Sequence, residues 1–180
     1  MKLGLAQLHE GENSFQFSSA ADNWLRDLIG RMAIQGVKIP GTLKAELQLT
    51  KLEPDYYLRG QLDFEVEQVC GRCAEPFQLS IHQKIELGLA HIKSGKAAAE
   101  ELLSEESEEL DILYIEGNDL DLGPIIEEQI FLSIPYAPIC RTDCKGICQA
   151  CGADLNLGVC RCQKTNPLNP FRVLADFKSH

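Results

Sequence analysis

The chain contains no run of 18 or more apolar residues, so no segment of it reads as a helix able to span a bilayer. It also lacks H-E-x-x-H, G-x-x-x-x-G-K-[ST] and any hint of a Ser–His–Asp arrangement, patterns that would point to metalloprotease, phosphate-binding or acyl-transfer chemistry. Positive charge is missing altogether from residues 97–139, which hold 12 Asp and Glu and no Lys or Arg. Residues 1–96 carry 11 basic against 12 acidic side chains and residues 140–180 carry 6 against 3, so the balances −1, −12 and +3 make up the net −10. Non-specific coating of nucleic acid depends on neutralising phosphates and is disfavoured by this total. A local basic face near the C-terminal end survives the argument, and the acidic middle suits a basic protein. The opening M-K-L-G-L-A-Q-L-H-E-G-E turns acidic before a signal-peptide apolar core can form. The expectation is a cytoplasmic protein, whose clustered thiols stay reduced and bind metal more readily than they pair.

What the chain does have is cysteine, unevenly spent. Six of its eight cysteines lie between Cys140 and Cys162, in C-R-T-D-C-K-G-I-C-Q-A-C-G-A-D-L-N-L-G-V-C-R-C, and the other two form Cys70-Gly71-Arg72-Cys73. Tetrahedral zinc needs four thiolates about 2.3 Å from the metal, and C-x-x-C loops set two of them at a time. Cys148 and Cys151, with Gly152 turning the backbone beneath them, combine with Cys160 and Cys162 into one closed site by local sequence. The single residue between Cys160 and Cys162 is tighter than usual spacing. Cys70, Cys73, Cys140 and Cys144 remain, and pairing them leaves no thiol over. Spacing alone does not force that partition, because Cys144 and Cys148 are also separated by three residues.

The expected fold is α+β, a single domain built on an antiparallel sheet or partial barrel, with a few packed helices and a cysteine-rich zinc-binding segment near the C-terminal end. Its parts are residues 1–92 (helix and strands with the C-x-x-C hairpin), 93–109 (acidic linker) and 110–180 (strand, helix, cysteine-rich loop and closing helix). Residues 3–17 read as short extended pieces. Ser18 and Ser19 are candidate N-caps, and Trp24, Leu25, Leu28, Ile29 and Met32 recur at helical spacing over about residues 20–33, with Trp24 read as core. From Gly41 the period becomes two, with Leu43, Ala45, Leu47 and Leu49 on one face, a turn at Glu53-Pro54-Asp55, and Leu58, Leu62, Phe64 and Val66 continuing in the next strand. That hairpin strand delivers Cys70, Gly71 is expected to relieve the C-x-x-C turn, and Pro76-Phe77 opens the following strand. His82, on the polar face, and His91, at the strand end, are read as solvated rather than ligating. Leu110–Ile115 is a short strand, and Asp121 caps a helix with Pro124 in its first turn and Glu127 and Glu128 near its positive end. Pro135 and Pro138 stop that helix. Asn169, Pro170, Phe171, Leu174 and Phe177 suggest a closing helix docked on the sheet.

Iron–sulfur ligation would use the same thiolates, but these spacings do not follow ferredoxin runs. A redox pair at Cys70 and Cys73 would want a helix N-terminus, whereas it sits between strands. Catalysis at zinc needs an open coordination position and a base, which two metals sharing eight cysteines do not offer. Clustered carboxylates at Asp119, Asp121, Glu127 and Glu128 are the other enzymatic candidates, and carboxylates at a helix start serve mostly as caps and dipole partners.

The string Cys140-x3-Cys144-Lys145-Gly146-Ile147-Cys148-x2-Cys151-Gly152, with Asn156 and Cys160-x-Cys162, resembles the bacterial YceD family, named for large ribosomal RNA subunit accumulation. So do Cys70-x2-Cys73, the lead Glu128-Gln129-Ile130-x-Leu132-x2-Pro135-x2-Pro138, and the closing Asn169-Pro170-Phe171-x2-Leu174. The resemblance covers about residues 43–177. It implies a process, accumulation of the large-subunit RNA, rather than a reaction, and it implies all eight cysteines as metal ligands. The expectation is a non-enzymatic, zinc-binding assembly factor acting on a ribosomal protein or large-subunit precursor. Arg141, Lys145, Arg161, Lys164 and Arg172 are the candidate RNA or partner contacts. The alternative is a thiol-redox or RNA-processing enzyme.

Overall fold

The computed structural model describes residues 1–52, 55–91 and 111–162. The linker expected over 93–109, the turn residues Glu53 and Pro54, and the closing helix over 169–177 lie outside the described residues, as do Lys164 and Arg172.

The two-residue period that begins near Gly41 becomes three long neighbours in one sheet. Strand β1 (Lys2–Gly4) is followed by a 3-10 turn (Leu5–Gln7), β2 (Glu12–Ser18) and helix α1 (Asn23–Ile34). Then come β3 (Lys44–Leu52), β4 (Asp55–Val69), β5 (Pro76–His91), β6 (Asp111–Ile115), β7 (Asp119–Asp121) and helix α2 (Leu122–Ser133). The main sheet runs β2-β3-β4-β5-β6, and β1 pairs with β7 in a small antiparallel ribbon. The two edge strands of the main sheet, β2 and β6, are not paired with each other, so the sheet is open and no closed barrel forms. The fold is α+β, as the patterning implies.

Alternation settles which face is inside. Leu43, Leu47 and Leu49, then Leu58 and Leu62, then Ile85 and Leu89 are fully buried on one face, which α1 covers with Leu25, Leu28 and Met32 and α2 with Leu122, Ile126 and Ile130. Each such side chain contributes about 1.5–3 kcal/mol relative to exposure. Leu120 of β7 joins the same core, which ties the small ribbon to the large sheet. Midway along β4, Gly60 stands opposite Leu47 and Ile85. A Cβ there would run into the Glu46 carbonyl and the Leu47 side chain, so this strand position admits only glycine.

Three details depart from expectation. Helix α1 starts at Asn23 because residues 18–22 are spent on a turn, with the Asp22 and Ala21 amides donating to the Ser18 carbonyl. Ser19 does not cap the helix: its Oγ accepts from the Leu43 amide at 3.0 Å and fastens the helix entry to the sheet. Second, β6 joins β5 in parallel, from Leu87↔Asp111 to His91↔Ile115. A parallel neighbour needs a long return connection, which residues 92–110 supply. Third, Trp24 packs edge-on against Phe17 as a partly buried core residue, but its indole N–H is buried without a partner among the described residues.

Two features of this fold place the cysteines. The β4–β5 hairpin stays in antiparallel register from Tyr56↔Leu89 to Val69↔Pro76, so Cys70–Cys73 is carried to the far tip of the longest element. At the other side, α2 begins where Asp121 accepts from the Gly123 amide at 3.1 Å, its carboxylate charge favoured by that bond and by the neighbouring amino group of Met1. Helix α2 ends at Ser133, and the Pro135–Pro138 stretch leads back to the hairpin tip, where the Pro138 carbonyl accepts from the Gly71 amide at 2.8 Å.

Candidate metal centres

The two C-x-x-C segments fold into the same turn. In the first, the Cys70 amide donates to the Glu75 carbonyl at 2.9 Å and the Ala74 amide to the Cys70 carbonyl at 2.9 Å. In the second, the Cys148 amide donates to the Ala153 carbonyl at 2.8 Å and the Gly152 amide to the Cys148 carbonyl at 2.8 Å. The fifth residue of each turn is left-handed, Ala74 with φ 59° and Gly152 with φ 73°. Gly71 is therefore not the residue that relieves the hairpin turn; Ala74 takes that strained conformation, and Gly71 serves the docking bond to Pro138. Gly152 does what its sequence position suggests.

The repeated turn has an electrostatic consequence. Backbone N–H groups aimed at the leading sulfur favour its thiolate. Cys70 receives the amides of Cys140, Cys73 and Arg72 and is lowered to about 6. Cys148 receives those of Ala150 and Cys151 and is likewise lowered to about 6. Their partners move the other way. Burial pushes the Cys140 thiol up to about 12, helped by hydrogen bonds shared with Cys70 and Cys144. The Glu75 amide pulls Cys73 down, but burial and the sulfurs of Cys70 and Cys144 outweigh it and the thiol is raised. Cys162 is pushed up to about 12 by Cys151, by burial and by the charges of Cys151 and Cys148. Four thiols so close cannot all ionise unless a cation sits among them.

Their positions match that requirement. Cys70, Cys73, Cys140 and Cys144 have sulfurs all within 4.8 Å of one another, and so do Cys148, Cys151, Cys160 and Cys162. All eight cysteines are free. The Cys70–Cys144 and Cys73–Cys140 sulfurs are 3.9 and 3.8 Å apart, far beyond the ~2.05 Å of a disulfide. Tetrahedral bonds of about 2.3 Å put sulfurs roughly 3.8 Å apart, so the first group already has the spacing a metal would impose. The grouping is the one that leaves no thiol over; Cys144 belongs with the hairpin tip rather than with Cys148.

The groups differ in surroundings. The first is enclosed, with Cys70, Cys73 and Cys144 buried and Phe77 packed against them. It joins sequence positions some 70 residues apart. The Arg72 side chain crosses to the Cys144 carbonyl at 3.1 Å, and the Arg72 carbonyl accepts from the Ile147 amide at 3.1 Å. Gly146, at φ 73°, lies so close that a Cβ would come 2.9 Å from that carbonyl. The second group is local, and its Cys151 is exposed. Sequence reasoning did not single out Arg72, and it noted Asn156 without a role. Asn156 accepts from the Lys145 amide at 2.8 Å and from Arg141 at 3.0 Å, and its own amide group lies 3.6 Å from the Cys144 sulfur.

Of the candidate contact residues, Lys145 and Arg161 are exposed. Arg141 is committed to Asp143 at 3.4 Å and to Asn156. His82 pairs with Asp63 on the outer sheet face and His91 meets Tyr56 edge-on; neither joins a cysteine group. Among the described residues the carboxylates proposed as an alternative catalytic site form no metal-holding group: Asp119 and Asp121 lie in β7, Asp121 as cap, and Glu127, which lines a cleft with Asp121, meets Gln35 at the end of α1 at 3.4 Å. A shallow cleft of about 390 Å3 lies on the outer sheet face among Gln16, Glu46, Arg59, Gln61 and Lys84, away from both cysteine groups.

These features define a class, an open α+β sheet whose hairpin tip meets a later cysteine-rich segment in one four-thiol group, beside a second four-thiol group within that segment, both able to hold metal ions. Within it the family is shown by comparison: residues 58–178 match the family described as "Large ribosomal RNA subunit accumulation protein YceD", and the chain belongs to the YceD family. It is also similar to uncharacterised mycobacterial proteins. One from Mycobacterium leprae is 23% identical over 113 residues, 63% of this chain and 49% of the relative. Those from Mycobacterium bovis and Mycobacterium tuberculosis are each 24% identical over 113 residues, 63% of this chain and 51% of the relative. The chain thus spans about half the length of the curated relatives it matches. No solved structure matches it. No helix among the described residues is long and apolar enough to cross a membrane.

Proposed function

We propose that this chain is a non-enzymatic factor in large ribosomal subunit biogenesis, held in shape by two structural zinc ions and acting in the cytoplasm on a ribosomal protein or large-subunit precursor. The observation that carries the reading is the convergence of Cys70 and Cys73 with Cys140 and Cys144, four sulfurs within 4.8 Å, in a chain of a family tied by name to large-subunit RNA accumulation. An all-sulfur tetrahedral donor set suits zinc. Zinc bound there would supply cross-linking between segments.

Charge favours a protein as the main contact. Four thiolates around one divalent cation leave a formal −2 at each site, or −4 for both. Residues 70–73 and 140–162, which hold the two sites, offer Arg72, Arg141, Lys145 and Arg161 against Asp143 and Asp154, a balance of +2, so the loaded segments stand at −2. Such a surface, followed in charge by the acidic residues 97–139, meets a basic ribosomal protein more readily than bare phosphates. Lys145, Arg161, Lys164 and Arg172 are the residues through which RNA would be touched.

The test has two parts. Protein purified without added metal should contain about two zinc ions per chain, with thiols that react only after chelation. Cells relying on a Cys73→Ser, Cys140→Ser variant should accumulate less large-subunit RNA than cells with the parent chain. Iron in place of zinc, or metal-free protein with reactive Cys70 and Cys73, would replace this reading with a redox one.

A further inference from the structure

Asn156 lies in the loop between Cys151 and Cys160, the ligand loop of the second group, yet its contacts reach the first. Its side-chain orientation is settled by its neighbours. The Lys145 amide and the Arg141 guanidinium are both donors and both approach Oδ1, at 2.8 and 3.0 Å. The Cys144 sulfur and the Asp154 carboxylate are both acceptors in their ionised forms and both face Nδ2, at 3.6 and 2.7 Å. A flipped amide would set acceptor against acceptor and donor against donor. The loop itself is registered on the segment that links the two groups, through the isolated bridge Ile147↔Asp154: Leu155 donates to the Gly146 carbonyl at 2.9 Å and Cys148 to the Ala153 carbonyl at 2.8 Å. Oδ1 of Asn156 extends that ladder by one rung, to the amide next to Cys144.

We propose that Asn156 is a positioning residue that couples the two metal sites, so that filling one raises the affinity of the other. This rests on the two-site reading above. Closing the second site fixes the loop between Cys151 and Cys160 and with it the Nδ2–H donor at Cys144. Filling the first site fixes the Cys144 sulfur opposite Nδ2 of Asn156, 3.6 Å away, and so orders the loop that the second site needs. Coupling of binding free energies is reciprocal, so each site gains the same factor from the other. A hydrogen bond to a charged acceptor corresponds to about tenfold or somewhat more.

The experiment uses the full chain, zinc, and chelator competition at fixed pH, with circular dichroism at saturating zinc to report folding. Disabling the second site by Cys160→Ser and Cys162→Ser should weaken the first-site Kd about tenfold. In an Asn156→Asp background, which keeps the acceptor for Lys145 and removes the donor to sulfur, the same removal should change the first-site Kd by less than about twofold. Conversely, Cys73→Ser, which leaves Cys144 in place, should weaken the second site by the same factor as the first was weakened, without any change at Asn156. A first-site Kd indifferent to the second site, equal losses in both backgrounds, or a second site indifferent to Cys73→Ser would each overturn the coupling while leaving two zinc ions per chain. Failure of the parent chain to hold zinc at either site would overturn the two-site reading and the coupling with it, and stoichiometry tells the cases apart.

Discussion

Gly146 and Gly152 form a matched pair for testing how the hairpin tip is held. Both have φ 73°, so alanine at either incurs the same left-handed backbone cost, about 1 kcal/mol. Their surroundings differ. A Cβ on Gly152 meets nothing within 4 Å, whereas one on Gly146 comes 2.9 Å from the Arg72 carbonyl oxygen. That carbonyl cannot retreat freely, since it sits between two cysteines of the first group and accepts from the Ile147 amide at 3.1 Å. Pushing it away strains or breaks that bond, adding about 0.5–1.5 kcal/mol. The expected totals are about 1 kcal/mol for Gly152→Ala and about 2 kcal/mol for Gly146→Ala. Urea unfolding at a fixed free-zinc concentration reads the difference, which a slope of about 1–3 kcal/mol per molar turns into roughly 0.5 M between the two midpoints. Gly146→Ala should also release metal to a chelator faster, and Gly152→Ala should do so only from the exposed second group. Equal midpoints would refute the claim that the C-terminal segment is pressed against the hairpin tip.

Three other outcomes follow from the same geometry. Ala74→Gly should stabilise the protein by about 1 kcal/mol, because Ala74 at φ 59° occupies the position that glycine fills in the second turn; a lower unfolding midpoint would contradict the equivalence of the two turns. Zinc affinity of the first site should fall as pH falls, since without metal Cys140 at about 12 and the raised Cys73 both hold protons near neutrality and must lose them to bind. At least two released protons give about a hundredfold or more per pH unit, steepening below about 6 as Cys70 also takes one up; chelator competition between pH 5 and 8 measures this, and a flat profile would refute it. Cys73→Ser should lower the thermal midpoint of the zinc-loaded protein more than Cys151→Ser. The first substitution opens a buried link between distant segments and the second a local loop, so equal midpoints would argue against the first group as the tertiary clamp.

What could be read from the sequence depended on whether the information was local. Leu43, Leu47 and Leu49 declare a buried sheet face by alternation alone, and Asp121 with Pro124 declares a helix start, because each signal is complete within a few residues. The second cysteine group is local in the same sense, its four sulfurs spanning 15 positions. The first group is not. Its ligands come from a hairpin tip and from a segment after α2, and only the register of β4 on β5 together with the bond from Gly71 to Pro138 brings them to one place. Spacing could narrow that pairing by elimination and could not decide between Cys144 and its neighbour in the count, Cys148. The parallel placement of β6 was hidden for a related reason, since strand direction is set by how β6 meets β5, distant in sequence, rather than by the alternation of Asp111–Ile115. Ala74 was missed because the rule that glycine marks a left-handed turn has no counterpart for an alanine held there by its neighbours, and Gly71 drew the attention instead. In each case the unread part lies in a contact between segments, and the residues that make those contacts, Arg72, Gly146 and Asn156, are the ones on which the architecture of the two cysteine groups turns.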